Sequence, residues 1–189
     1  MAPVITREEF LRGKLRFFRD IRDGGIFVHP TDTIYGLGCD ATNEKAVQRL
    51  RELKQRPDGS LSVIAPSLEW IRAHCKTQGH EEWLERISSR YTLIYPLRGK
   101  AVAPSVTLGA KTLGVRIPEH WFSAVVKELG FPIITTSANI HGEAFMTSLE
   151  NLDERLASEV RFIIFEGEKV AKPSTLVDLT GPEPKLIGR

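Results

Sequence analysis

Four short clusters in this chain place hydroxyls, cations and glycines where they could hold an anionic or zwitterionic ligand. The first runs from His29 to Ala41 and reads HPTDTIYGLGCDA. It follows the apolar run Ile26-Phe27-Val28 and leads towards a helix. Its threonine hydroxyls could aim at an amino acid or a phosphate, and its two glycines let the backbone come close to a ligand. The others are Lys54-Gln55-Arg56 at the end of a helical pattern, Ser137-Ala138-Asn139 directly after a strand, and Pro173-Ser174-Thr175. Ordinary readings stand beside these. The first cluster could be a plain strand-to-helix turn, and Lys54 and Arg56 also complement the dipole of the helix they close.

Several other chemistries are set aside. No GxxxxGK[ST] occurs, so the P-loop way of holding phosphate is excluded. Gly36 to Ala41 matches a relaxed GxGxxG/A pattern. Residues 30–35 separate it from the strand end, however, and the nearest acid at the required distance, Asp58, lies in a proline-glycine turn. Ser137 has no GxSxG around it. His29, His74, His80, His120 and His141 fall in no metal-ligand spacing and read as surface or satisfied core. Cys39 and Cys75 form no CxxC, which points to inert thiols in a reduced, cytoplasmic setting without zinc.

Charge supports an anionic partner. The net charge is only +2, yet Arg86 to Pro118 contains no acid and six cations: Arg86, Arg90, Arg98, Lys100, Lys111 and Arg116. A second basic knot, Arg49, Arg51, Lys54 and Arg56, is relieved only by Glu52. Nucleotide phosphates or RNA suit such a surface.

The elements that would carry these residues alternate. Thr6 and Glu9 form a capping box before Phe10, Leu11, Leu15, Phe18 and Ile21, which predicts one helix stopped by Gly24-Gly25. Strand 26–29 follows, and then a helix from Thr42 or Asn43 that Pro57 ends. Leu61 to Ala65 reads as a strand, Ser67 caps a helix, and a short helix covers about Glu81 to Ser88. Tyr91–Tyr95 and Leu113–Ile117 read as strands, and Phe122 to Leu129 as a helix closed by Gly130. Strand 131–136 runs directly into Ser137. A helix from about Ser148 and strands at 160–165, 176–179 and 185–187 complete the chain. No apolar run is long enough to span a membrane and no signal-peptide pattern opens the sequence. With 189 residues and 41% hydrophobic content, the expectation is one α/β domain with helices on a central, mixed sheet.

Taken together and in this order, PTDTIYGLG, Lys54-Gln55-Arg56, Ser137-Ala138-Asn139 and Pro173-Ser174-Thr175 resemble the YrdC-like family of threonylcarbamoyl-AMP synthases. The resemblance runs from about Thr6 to Arg189. It implies a twisted open sheet flanked by helices around a basic concave cavity. It also implies an activity: L-threonine, bicarbonate and ATP give threonylcarbamoyl-adenylate and pyrophosphate, for threonylcarbamoyladenosine modification of tRNA. By matching position, Lys54, Arg56, Ser137 and Asn139 would be catalytic. Lys54 and Arg56 would face the phosphates, and Ser137 and Asn139 would supply neutral hydrogen bonds. Thr33, Arg116 and Ser174 would contact threonine, Ser174 also lying by the phosphates. Ser60, Thr112 and Arg189 would join Arg56, Ser137 and Asn139 at the nucleotide. Mg²⁺ is expected with ATP, with no protein-built metal cage. Implied partners are tRNA or double-stranded RNA and downstream tRNA threonylcarbamoyl-transfer proteins, with no membrane.

This sequence departs from the family pattern in places. Ser88-Ser89-Arg90-Tyr91-Thr92 stands where the family has a tryptophan-proline-glycine-proline box. SANIHG replaces SANxSG, so that His141 stands for a serine. Leu186-Ile187-Gly188-Arg189 replaces the closing LLRxG. The turn Pro57-Asp58-Gly59 resembles the YciO-like branch. A paralogue with little adenylation activity and an RNA-binding module are therefore the competing readings. A single domain, 1–189, without the C-terminal domain of the longer synthases, is expected.

Overall fold

A computed structural model describes residues 2–87 and 90–188. Eleven strands are present among them: β1 (Val4–Ile5), β2 (Phe27–His29), β3 (Gly36–Gly38), β4 (Ser62–Ile64), β5 (Tyr91–Pro96), β6 (Thr112–Arg116), β7 (Ile133–Ile134), β8 (Thr136–Ser137), β9 (Ile163–Ile164), β10 (Thr175–Asp178) and β11 (Lys185–Ile187). They form two mixed sheets, ordered β1-β9-β2-β3-β8 and β11-β10-β5-β6-β4-β7. The expected single central sheet is therefore two. The chain steps from one to the other between β7 and β8, across the single residue Thr135. The mixed character was expected and has a simple cause. The connection from β2 to β3 is too short for a crossover, so these strands pair antiparallel, whereas β2 and β9 pair parallel.

Side-chain alternation sorts the sheets into layers. Phe27, Ile64, Ile133 and Ile164 enter an aromatic core with Phe10, Phe17, Phe18, Phe122 and Phe162. Their strand neighbours Val28, Val63, Ile134 and Ile163 enter the larger core on the opposite face. In β5, β6 and β10 the residues Leu93, Tyr95, Leu113, Val115 and Val177 also join that larger core. The intervening positions, among them Thr92, Ile94, Thr112, Gly114, Arg116 and Leu176, turn away from it and line hollows.

Among the described residues seven α-helices flank the sheets: α1 (Arg7–Arg12), α2 (Lys14–Arg22), α3 (Glu44–Leu53), α4 (Leu68–His74), α5 (Pro104–Thr107), α6 (Trp121–Leu129) and α7 (Glu154–Glu159). The Thr6–Glu9 capping box is formed, but the helix it starts breaks at Gly13. The break rotates the register. Phe17 is buried instead of Leu15, which is 78% exposed. The helix expected from Ser148 is only a 3-10 turn, Leu149–Asn151, because Asn151 bonds back to Ser148 and a fresh cap at Asp153 starts α7. Residues Glu81–Arg86 are likewise 3-10, and Ser88 lies outside the described residues. α6 ends as expected on Gly130 in the left-handed region, at φ 81°. Among the described residues no helix is long and apolar enough to cross a membrane.

Gly36 and Gly38 also depart from expectation. They lie in β3 and not in a ligand-facing turn. The residue they admit is His29, whose ring stacks on Phe122 at 4.9 Å between centroids. A Cβ on Gly36 would meet the His29 ring at 2.7 Å, and one on Gly38 would meet it at 2.9 Å. Burial pushes the His29 imidazolium down to about 3, so the ring is a neutral core group at ordinary pH. Cys39 and Cys75 are buried free thiols, and burial pushes Cys75 up to about 12.

Candidate functional site

Two adjoining hollows open where the sheets meet. The inner one is tight, about 20 Å³, and is lined by Thr31, Thr33, Thr92, Arg116 and Ser174 among others. The outer one is about 460 Å³, with Arg56, Ser60, Ser62, Thr112, Ser137 and His141 set against Leu61, Ile94 and Leu176. Thr135, Thr136 and Ser137 line both, so the residues that carry the chain between sheets form the wall the hollows share.

The inner hollow is built from hydroxyls and one guanidinium. Thr31 Oγ donates to the carbonyl of Ile34 at 2.7 Å and accepts from the Thr33 amide at 3.1 Å, which fixes the loop after β2. Arg116, in β6, pairs through Nη2 with Asp32 Oδ1, and its Nη1 lies 3.5 Å from Thr33 Oγ. Thr92 Oγ and Ser174 Oγ are 2.8 Å apart, which brings β5 and the segment before β10 together. Thr33, Arg116 and Ser174, three residues that the family resemblance would place on one amino-acid ligand, share one pocket. The Asp32–Arg116 pair was not foreseen. It requires a loop and a strand that are 84 residues apart.

Lys54 and Arg56 leave α3 on opposite sides of a bend. Gln55 between them is in the left-handed region, φ 52°, which is costly for a residue with a side chain. Lys54 turns inward and is 1% exposed. Its ammonium donates to Ser137 O at 2.6 Å, Asn139 O at 2.7 Å and Asn139 Oδ1 at 3.0 Å. Burial, and then the neighbouring Arg56 guanidinium, push Lys54 down to about 7. Arg56 turns outward and lines the outer hollow, with Nη2 donating to Ser60 O at 3.1 Å. Arg51 sits beneath as a buried strut. It donates to the carbonyls of Ser105 at 2.6 Å and Gly59 at 2.8 Å, which holds the 56–60 loop in place.

Lys54, Arg56, Ser137 and Asn139 therefore come together as the sequence suggested, with a division of labour it did not reveal. Lys54 was expected to face phosphate and Asn139 to contact substrate. Asn139 Oδ1 also accepts from Ser137 Oγ at 2.6 Å, while its Nδ2 donates to Glu143 O at 2.6 Å. The polar atoms of Lys54 and Asn139 are thus spent on shaping the turn, and Arg56 and Ser137 line the hollow. Ser60 and Thr112 line it too. Arg189 lies outside the described residues. Of the six cations between Arg86 and Pro118, Arg116 lines the site. Lys100 and Lys111 border a different hollow with Val102 and Pro104, and Arg86 lies over the Trp83 ring at 5.3 Å. His141 and the apolar wall of Ile94 and Leu176 were missed as site residues. Period-2 alternation in β5 and β10 was the available signal for the last two.

Among the described residues no group of three His, Cys, Asp or Glu side chains is placed to hold a metal ion.

A family model designated Sua5/YciO/YrdC, described as telomere recombination, matches residues 19–189. The threonylcarbamoyl-AMP synthase of Pyrococcus abyssi is 34% identical over 193 residues, covering 97% of this chain and 56% of that protein. The chain thus spans little more than half the length of that relative. The crystal structure of P. abyssi Sua5 complexed with L-threonine superposes with a TM-score of 0.86 at 31% identity, covering 98% of this chain and 56% of that one. Escherichia coli YciO superposes with a TM-score of 0.83 at 26% identity, covering 99% and 95%. Both the sequence match, which takes in every cluster above, and the shared fold lead to one assignment: the chain belongs to the Sua5/YciO/YrdC family.

Proposed function

We propose that this chain is a threonylcarbamoyl-AMP synthase, a nucleotidyltransferase that makes threonylcarbamoyl-adenylate and pyrophosphate from L-threonine, bicarbonate and ATP. The observation that carries this reading is the junction of the two hollows. A tight pocket with a guanidinium and several hydroxyls adjoins a roomy one with a guanidinium and an apolar wall, and Ser137 lies between. Threonine seats at the first, its carboxylate towards Arg116 and its hydroxyl among Thr33, Thr92 and Ser174, and the hollow, which at about 20 Å³ has room for little more than a water, widens to admit it. Because the pocket is tight and Arg116 already holds Asp32, the entering carboxylate shares the guanidinium with that aspartate. ATP occupies the second, its phosphates towards Arg56 and Ser137, its ribose and base towards Ser60, Thr112, Ile94 and Leu176.

The threonine amine adds to bicarbonate with loss of water to give a carbamate. A carbamate oxygen then attacks the α-phosphorus, the bond to the β-phosphate oxygen breaks, and pyrophosphate leaves. Negative charge builds on phosphate oxygens during this step. The chain's contribution is the fixed Arg56 guanidinium, joined by the Ser137 hydroxyl when it turns from Asn139 Oδ1 to the phosphate at the wall shared by both hollows. Mg²⁺ arrives as part of the MgATP substrate, carried on phosphate oxygens. The product goes to tRNA through transfer proteins in the cytoplasm, a setting that suits two buried free thiols.

The test is pyrophosphate release from ATP with and without threonine and bicarbonate. Release that depends on both supports the synthase; none from a folded, ATP-binding protein defeats it. The Pro57-Asp58-Gly59 turn favours one second reading, a YciO-like paralogue with little adenylation. Tight, salt-dependent binding of double-stranded RNA or tRNA without nucleotide turnover would instead mark an RNA-binding module.

A further inference from the structure

His141 is the one histidine among five that has no hydrogen bond, ion pair or ring contact through its side chain among the described residues. His29 stacks on Phe122, and His74 lies against Trp70 at 4.7 Å. His80 Nε2 bonds the Gly181 carbonyl at 2.7 Å, and His120 Nε2 bonds Glu166 at 2.7 Å. The His141 ring is exposed and lines the 460 Å³ hollow together with Arg56.

Its placement is fixed even though its ring is free. The His141 amide donates to the Lys54 carbonyl at 2.9 Å, and the Lys54 ammonium binds Ser137 O and Asn139 O from the other side. Residue 141 and Arg56 therefore branch from one clamp, the first across a main-chain hydrogen bond and the second two residues along the chain. Two independent segments present an imidazole and a guanidinium to one space, and no carboxylate is among the residues that line it. The nearest acid in sequence, Glu143, is held by Arg155 at 2.9 Å.

We propose that His141 is a specificity-determining residue that binds the phosphate chain of the nucleotide beside Arg56, and binds it more strongly when the imidazole is protonated. This rests on the reading of the outer hollow as a nucleotide site. A neutral imidazole offers one N–H to a phosphate oxygen, whereas an imidazolium offers two with a full charge behind them. The serine that the family pattern carries here offers a hydroxyl at every pH and never a charge. Arg56 is the cation that lines the same hollow, while the Lys54 ammonium is turned inward onto Ser137 and Asn139. Bound phosphate and proton should therefore favour one another.

The test is equilibrium binding of two probes, a non-hydrolysable α,β-methylene ATP and inorganic triphosphate, between pH 6 and pH 8.5. Wild type is compared with His141→Ser and His141→Asn, which keep the main-chain bond to Lys54. Taking ratios to wild type cancels the titration of the probes themselves. At pH 6 both variants should bind about tenfold more weakly, shrinking to about twofold at pH 8.5, as a charged hydrogen bond gives way to a neutral one. In turnover, the KM for ATP should rise by the same factors, with kcat and the KM for threonine unchanged within about twofold. A binding loss equal at all pH values, or none, overturns the proposal. If pyrophosphate is never released yet binding follows His141 as described, the synthase reading fails and this one stands. If neither probe binds at millimolar concentration, both fail.

Discussion

At Lys54 an ammonium removed from water has three oxygens within 3.0 Å, all belonging to the turn that carries Ser137 and Asn139. Truncating it removes three hydrogen bonds from a charged donor, worth up to about 1.5–3 kcal/mol each, although Ser137 O still accepts from the Asn139 amide and Asn139 Oδ1 from the Ser137 hydroxyl. Lys54→Met should therefore lower stability by about 2–5 kcal/mol, read from urea unfolding. The sign of its pH dependence follows from burial, which depresses Lys54 to about 7 from the ordinary lysine value of 10.5. Between those limits the unfolded chain binds more protons than the folded one, so this group's contribution to stability rises with pH and is least favourable below about 7. Wild type should gain urea midpoint from pH 7 to 9.5 relative to Lys54→Met; parallel profiles would show that the folded ammonium keeps its proton. Arg56 stands apart, facing the hollow and bonded only to carbonyls of its own loop, Asp58 and Ser60. Arg56→Ala should cost about 100-fold or more in threonine-dependent pyrophosphate release while leaving stability within about 1 kcal/mol of wild type. An enzyme that keeps its rate without Arg56 would remove that residue from the chemistry.

Elements place these residues through the two-residue period of strands. In β6, Thr112, Gly114 and Arg116 face the hollows because Leu113 and Val115 are taken by the core. The same period makes β3 a narrow pass. Gly36→Ala would drive a methyl into the His29 ring at 2.7 Å and should destabilise by about 1–3 kcal/mol. In a His29→Ala background that penalty should shrink, a coupling of at least about 0.5 kcal/mol in a double-mutant cycle. Additive effects would mean that some other atom sets the limit. At the amino-terminal helix, Thr6 is legible as a cap from sequence, whereas the break at Gly13 is not. Helical periodicity carried Leu11 and Leu15 inward on paper. The turn at Gly13 gives the buried face to Phe10, Phe17 and Phe18; Phe10 stacks on Phe17 and Phe17 meets Phe162 edge-on, which is a tertiary arrangement.

Across the whole molecule, the site depends on contacts between distant parts of the chain. Tyr35, on the wall of the inner hollow, donates to Gly167 O at 2.6 Å and accepts from the Glu166 amide at 3.1 Å, tying the first loop to the segment that leads into Ser174. Tyr35→Phe leaves both groups unmatched. It should speed hydrogen exchange across 166–173 by roughly tenfold and raise the KM for threonine, whereas unchanged exchange would show that this strap is held elsewhere. The sequence by itself determined the mixed α/β class, the caps at Thr6 and Ser67, the stop at Gly130, and the short clusters that mark the family. Those features are local: they follow from periodicity, backbone preference and residue type within a few positions. Only the tertiary structure decided that there are two sheets joined at Thr135, that Lys54 and Asn139 brace a turn while Arg56 faces the hollow, and that Asp32 holds Arg116. Each of these rests on which distant groups compete for the same buried hydrogen bonds, and that competition is settled by packing, which no local pattern encodes.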